Sequence, residues 1–195
     1  MHGVFASQQG VLQNTTMAKP AGKVAARAAA AQTFYELPLS ERMRTFLRLE
    51  FLYQKMLFSG EDHSDWATRA TIATLLEILA ILSRGDVRGE VQKELDHQIT
   101  KLQRFQSQPS VDAGRLDSLI RNLVDSRGQV SSIGTQFLTP LKDCEFLTAI
   151  KHRSAIPGGT CEFDLPEYSH WLRQPFERRE QDLERWIGAI RPLCD

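Results

Sequence analysis

Asp65-Trp-Ala-Thr-Arg-Ala-Thr-Ile-Ala-Thr-Leu-Leu-Glu-Ile-Leu-Ala-Ile-Leu-Ser83 decides the fold class. Within it Ile72, Leu75, Leu76, Leu79 and Leu82 recur at the spacing that returns side chains to one face of an α-helix. Trp66 and Ile78 widen that face, so the segment is expected to be a mostly buried helix. The apolar run from Thr71 to Leu82 is too short for a membrane span and carries Glu77.

Upstream, Tyr35-Glu-Leu-Pro-Leu reads as an extended entry set by Pro38. Ser40 can cap a helix that runs to about Ser59, with Gly60 as its C-terminal cap. Downstream, Arg84-Gly85-Asp86 predicts a tight junction in which Gly85 ends one helix and Asp86 caps the next. That turn chemistry accounts for the Arg-Gly-Asp tripeptide without an adhesion role. From Val87 to about Gln106 a narrow stripe of Val91, Leu95, Ile99, Leu102 and Phe105 suits one limb of a long antiparallel hairpin arm. The other limb follows Ser110 or Asp112, with Leu116, Leu119, Ile120, Leu123 and Val124 on its packed face and Arg127-Gly128 at its end. Shorter helices are expected near Ile133 to Leu138 and Glu145 to Arg153.

The character changes at Ile156-Pro-Gly-Gly-Thr-Cys-Glu-Phe-Asp-Leu-Pro166, where a Pro-Gly-Gly turn precedes a brief alternation that predicts a strand over Thr160 to Leu165. One strand makes no sheet, so its partners are expected to be missing. Helices are predicted for Glu167 to Leu172 and Phe176 to Ile190. Residues 1–33 contain no Asp or Glu and only Lys19, Lys23 and Arg27 as charges, which reads as a disordered basic tail rather than a transit peptide; Met17 is an alternative start. The expectation is a mainly α protein: a tail over 1–33, an antiparallel helical domain over 34–155, and the start of a truncated β domain over 156–195.

Composition narrows the function classes. The 195 residues carry 24 Lys plus Arg against 24 Asp plus Glu, so no global field exists to hold nucleic acid or an anionic membrane. Cys144, Cys161 and Cys194 are odd in number and form no CxxC pair, which suits a reducing compartment. Ser7, Gln8, Gln9, Gln13 and Asn14 interrupt any secretory leader. The chain is therefore read as cytoplasmic, without cofactor or metal.

Three segments carry a family resemblance: Glu36-Leu-Pro-Leu-Ser-Glu-Arg-Met-Arg-Thr-Phe-Leu-Arg-Leu-Glu-Phe-Leu52, Arg84-Gly-Asp-Val-Arg-Gly-Glu-Val-Gln-Lys-Glu-Leu-Asp96, and Ile156 to Pro166 with Trp171-Leu172. In order and spacing they resemble the ZapD family, Z-ring-associated proteins that bundle filaments of the tubulin-like division protein FtsZ. The resemblance implies an N-terminal helical domain, a C-terminal β domain and a symmetric homodimer recruited to midcell by FtsZ. Since family members continue past the position of Asp195, the chain is expected to be a fragment.

The resemblance also implies basic side chains that receive the acidic and apolar C-terminal tail of FtsZ. Arg44, Arg48 and Lys55 share one arc of the first helix, and Arg44 can pair with Glu41. Arg48 has Arg44, Thr45, Phe51 and Leu52 at neighbouring helical positions, so any acid must come from elsewhere. Arg84 and Arg88 resemble the family's basic positions around its junction glycine, and Lys151 and Arg153 match further basic positions. The competing reading pairs Arg48, Arg84 or Arg88 internally with Glu50, Glu77 or Glu90. Where the family can have a histidine this chain has Ser169, with His170 one place later, and basic character is not clearly kept around Glu145.

An enzyme reading would make Cys161 a nucleophile, His170 its base and Asp164 the orienter. All three lie in one short stretch, whereas nucleophilic sites gather groups from separate elements, so this reading is set below the adaptor one. His63 with Asp65 could suggest a metal, but no second ligand pair stands at useful spacing. A basic tail acting with the Arg44 face could suggest nucleic acid, but stacking aromatics are lacking.

Overall fold

The computed structural model describes residues 35–108 and 110–194. The chain divides into Met1–Leu37 and Pro38–Asp195; of the first unit only 35–37 are described, without regular secondary structure, and the expected tail lies outside the described residues.

The second unit is helical. In order come α1 (Glu41–Gly60), α2 (Asp65–Leu82), α3 (Val87–Gln103), α4 (Ala113–Ser132), α5 (Thr139–Lys142), α6 (Glu145–Ser154), α7 (Pro166–Leu172) and α8 (Phe176–Cys194). The four long N-terminal helices start on side-chain caps. Ser40 Oγ accepts from the Met43 amide and Ser64 Oγ from that of Ala67, both at 3.2 Å, while Asp86 and Asp112 accept from Gly89 and Arg115, both at 3.0 Å. Each satisfies a backbone donor that the first helical turn leaves unpaired. Proline in the first turn of α5 and α7 opens those helices instead.

Helix α2 is the hub, as its periodicity predicts. Ile72, Leu75 and Ile78 are fully buried, and Thr68, Thr71 and Thr74 are buried beside them. Thr71 and Thr74 direct their hydroxyls at the carbonyls of Ala67 and Ala70, at 3.0 and 2.8 Å, which removes the cost of burying them. Against α2 pack Leu49, Leu52, Tyr53 and Met56 of α1, and the same core takes in Leu141, Leu147, Ile150, Tyr168, Trp171, Leu183, Trp186 and Ile190 from α5–α8. Phe146 anchors an aromatic cluster, with ring centroids 5.3 to 5.9 Å from Tyr168, Trp171 and Trp186, a range in which offset and edge contacts are favourable. Trp171 completes it by donating Nε1–H to Asp182 at 2.9 Å.

Helices α3 and α4 form the expected antiparallel hairpin. Their cross-links run in opposite order along the two helices: Arg88 to the Ile133 carbonyl, Gln92 to Ser131, Arg127 to Asp96, and Gln106 to Asp117. Only Val87 and Ile99 of α3, and Leu116, Ile120 and Val130 of α4, are buried. Phe105, Leu119 and Val124, expected on the packed stripe, are exposed.

Four expectations need correction. The predicted strand over Thr160–Leu165 is replaced by consecutive turns, so no strand of the expected truncated β domain is present among the described residues: the amides of Ile156, Gly159, Cys161 and Leu165 donate to Arg153, Ile156, Gly158 and Cys161. Gly158, at φ 73°, supplies the left-handed bend that commits the segment to turns. Trp66 does not join the apolar face; it lies in the first turn of α2, pointing away from the buried Thr68 and Ile72, and is 80% exposed. The glycines are not left-handed caps, since Glu61 and Ser83 close α1 and α2 in right-handed geometry and Gly128 sits inside α4, which runs on to Ser132. The helix expected near Ile133–Leu138 begins only at Thr139.

Candidate functional site: two clefts at the α2–α3 junction

Helix α2 ends beside the start of α1, because a short loop turns the chain back between them. That places the α2–α3 junction at the foot of the hairpin arm and opens a cleft on each side of it. The first, about 420 Å³, is lined by Arg42, Thr45, Phe46 and Arg48 of α1, Ile81 of α2, the junction residues Arg84 to Asp86, and Val87 and Glu90 of α3, with Glu41 at its rim. The second, about 460 Å³, lies between Leu82 to Arg88 and the segment Thr135–Thr139 with Lys142. Gly85, Asp86 and Val87 line both, so they form the ridge that separates the clefts.

Charge in the first cleft is unevenly matched. Its carboxylates are already engaged: Glu41 holds Arg44 at 3.1 Å, Glu90 holds Arg42 at 2.8 Å and Lys93 at 2.9 Å, and Asp86 caps α3. Arg42 also reaches Glu94 at 2.9 Å, joining α1 to α3. The Lys93 hydrogen bond, together with the charges of Lys93 and Arg42, holds the Glu90 carboxyl below its usual range despite some desolvation. Hydrogen bonds from Gln98 and then Arg42 do the same for Glu94. Arg48 and Arg84 are exposed and have neither an ion pair nor a side-chain hydrogen bond among the described residues. Two uncommitted guanidinium groups thus line one cleft with Phe46, Ile81 and Val87 as apolar wall.

The other sequence-predicted cations fall elsewhere. Arg88 lines the second cleft and spends one N–H on the Ile133 carbonyl at 3.2 Å, where α4 ends. Arg44 pairs with Glu41 as expected, and Lys55 reaches Glu77 at 3.6 Å. Lys151 and Arg153 occupy the last turn of α6 and line neither cleft; Arg153 faces Asp164 at 3.5 Å. Of the internal acids weighed as partners for Arg48, Arg84 and Arg88, Glu77 serves Lys55, and Glu90 serves Arg42 and Lys93.

Sequence reasoning missed Arg42, Lys142 and Arg179. The signal for Arg42 was available, since Glu90 and Glu94 stand one turn apart on α3 and form an acidic pair that calls for a cation. Lys142 gives no such signal, because only the fold of the α4–α5 segment brings it to the second cleft. Arg179 is buried, and donates to Asp65 at 2.9 Å, Thr68 at 3.0 Å and the His63 carbonyl at 2.9 Å. His63 stacks on Phe176 at 3.7 Å, so the His63–Asp65 pair belongs to this latch between α8 and the start of α2. Cys161 Sγ lies 3.5 Å from Asp164, whereas the His170 ring faces Gln174 at 3.3 Å, so these three do not form a relay.

Comparison with known proteins gives one family. The model for the cell division protein ZapD matches residues 47–195. The cell division protein ZapD of Ralstonia nicotianae is 38% identical over 161 residues, which cover 83% of this chain and 64% of that protein. That of Nitrosomonas europaea is 38% identical over 159 residues, 82% of this chain and 61% of that protein. A third, from Methylococcus capsulatus, is 35% identical over 162 residues, 83% and 64% respectively. The chain spans less than two thirds of the length of these curated relatives. No described helix is long and apolar enough to cross a membrane. With a family match over most of its length and relatives that agree, the chain belongs to the ZapD family of cell division proteins.

Proposed function

We propose that the chain is a cytoplasmic, non-enzymatic division factor that binds the acidic and apolar C-terminal tail of FtsZ and is recruited by it to midcell. The observation that carries this reading is the first cleft: Arg48 and Arg84, uncommitted to any described carboxylate, stand over an apolar wall of Phe46, Ile81 and Val87. Such a surface suits a peptide that alternates acidic and apolar groups, with the charges steering encounter and the wall adding burial. Arg88 continues the basic character past the junction, and Arg44, Lys151 and Arg153 extend it over the surface of the helical unit. A symmetric homodimer would present two such sites and so bridge neighbouring protofilaments, each second contact aided by high effective concentration.

Co-sedimentation with FtsZ filaments tests the reading. Reversing both charges in Arg48→Glu with Arg84→Glu replaces attraction by repulsion and is expected to weaken binding about tenfold or more. Helix content and melting temperature should stay near those of the parent, since both side chains are exposed and neither is bonded to another side chain among the described residues. Normal sedimentation of a folded double variant would rule out this cleft.

A further inference from the structure

We propose that the two clefts form one continuous track, in which the Gly85–Asp86–Val87 ridge is crossed by a single extended peptide. One acidic residue of the peptide seats on Arg48 and Arg84, and a second on Arg88 with Lys142. The inference rests on the tail-binding reading above and assigns a role to Lys142, which only the fold brings to the second cleft.

Four observations carry it. First, both clefts are lined by the same three residues, so no other element stands between them. Second, the ridge is low: a methyl group added at Gly85 would meet nothing within 4 Å, so the backbone there lies open to a passing chain. Third, the second cleft repeats the charge pattern of the first. Its single carboxylate, Asp86, is occupied by the Gly89 amide at 3.0 Å. Lys142 is exposed with no side-chain partner among the described residues, and Arg88 has spent one donor of five on the Ile133 carbonyl. Fourth, apolar groups flank the ridge on both sides, Phe46, Ile81 and Val87 in one cleft and Leu82, Val87, Phe137 and Leu138 in the other. The track therefore reads acid, apolar, acid. That order distinguishes an extended peptide from a lone carboxylate or a compact anion.

The occupant follows from the charges. Every described carboxylate of the track is held by a cation or a cap, so a basic peptide would have to displace existing partners, whereas an acidic one finds the cations waiting. Its apolar residues lie over the ridge beside Val87, where the one carboxylate, Asp86, is turned onto the Gly89 amide.

Fluorescence anisotropy with labelled, C-terminally amidated synthetic peptides tests the track. One peptide carries two aspartates flanking a short apolar stretch, and a second has one aspartate replaced by asparagine. Lys142→Ala is expected to weaken the two-acid peptide about fivefold, the size of one exposed ion pair, and to leave the one-acid peptide unchanged. Gly85→Gln raises the ridge at a position whose backbone is not left-handed, and should likewise cancel the advantage of the second acid while sparing the first. Arg84→Gln should weaken both peptides. If Arg84→Gln weakens both while Lys142→Ala and Gly85→Gln change neither, the continuous track is wrong and a single-cleft site stands. Equal weakening of both peptides by Lys142→Ala would also overturn the assignment of the second acid. Should none of the three variants matter for a peptide that binds, both the track and the tail-binding site fail together.

Discussion

Arg179→Met replaces a buried cation with an unbranched apolar chain of similar reach, and the expected loss of stability can be worked from its surroundings. Three donations end: one to Asp65, one to the Thr68 hydroxyl and one to the His63 carbonyl. Bonds involving a charged group are worth roughly 1.5–3 kcal/mol each, but their sum overstates the effect, because the buried guanidinium also carries a desolvation cost of several kcal/mol that the substitution removes. What remains is the penalty for acceptors left behind. Asp65 is half exposed and rehydrates, so it contributes little. Thr68 is 2% exposed and cannot, and an orphaned buried polar group costs about 1–3 kcal/mol. Adding the loosened seat of α8 on α2 gives a net loss of about 3 kcal/mol, or roughly 6–12 °C in melting temperature for a domain of this size. Thr68→Val in the Arg179→Met background removes the orphan and should recover about 1 kcal/mol, whereas Thr68→Val alone should destabilise. Urea unfolding followed by circular dichroism measures all four corners of the cycle. A melting temperature unchanged by Arg179→Met would refute the reasoning, since it would mean the guanidinium is solvated rather than seated between the helices.

Two further outcomes follow from glycine geometry and from acid titration. Gly128→Ala, inside α4 with open space around it, should stabilise by about 0.5–1 kcal/mol in a denaturant titration. Gly89→Ala should show no such gain, because the added methyl overlaps the Asp86 carboxylate that caps α3, and losing a cap costs about 1 kcal/mol. Their hydrogen-bonding and charged neighbours, Lys93 and Arg42 for Glu90 and Gln98 and Arg42 for Glu94, hold the two carboxyls below the ordinary glutamate range, so their partnership with Arg42 stabilises the fold above that range and is lost as pH falls through the lowered folded values. The melting-temperature gap between the parent and Arg42→Gln should therefore be present at neutral pH and close on acidification; a gap that stays constant until both carboxyls are protonated would exclude the ion pairs as its source.

What could be read from the sequence divides along a physical line. Helices whose apolar residues repeat over several turns were legible, as α2 shows, because burial of one face leaves a periodic trace. The hairpin was legible for the same reason, and so were the caps Ser40, Asp86 and Asp112, whose bonds are local. Turn chemistry was less so: Thr160–Leu165 alternates like a strand, yet a strand needs partners that no local pattern can supply, and Gly158 bends the chain before any could pair. Trp66 failed by position, since a residue in the first turn has few neighbours to say which way it faces. At the site, Arg48 could be singled out by the lack of acids at helical neighbour positions, and Arg84 by its place in the family resemblance. Their meeting in one cleft, the capture of Glu90 and Glu94 by Arg42, and the arrival of Lys142 from α5 depend on tertiary contacts and leave no periodic mark.

The hairpin arm has a consequence for how the molecule can vary. Ile99, Leu116, Ile120 and Val130, its buried side chains beyond the junction, lie outside the cluster that organises the rest of the protein, and the links between its limbs are mostly polar and exposed. Nothing in the main core therefore measures the arm's length. Matched insertions of two helical turns in α3 and α4 would prolong the seam without opening a cavity or moving Val87, so reach can drift while the clefts at the arm's foot stay fixed. Amide exchange should divide at the same place, the distal arm opening by itself while the amides of α2 wait for the whole fold to come apart.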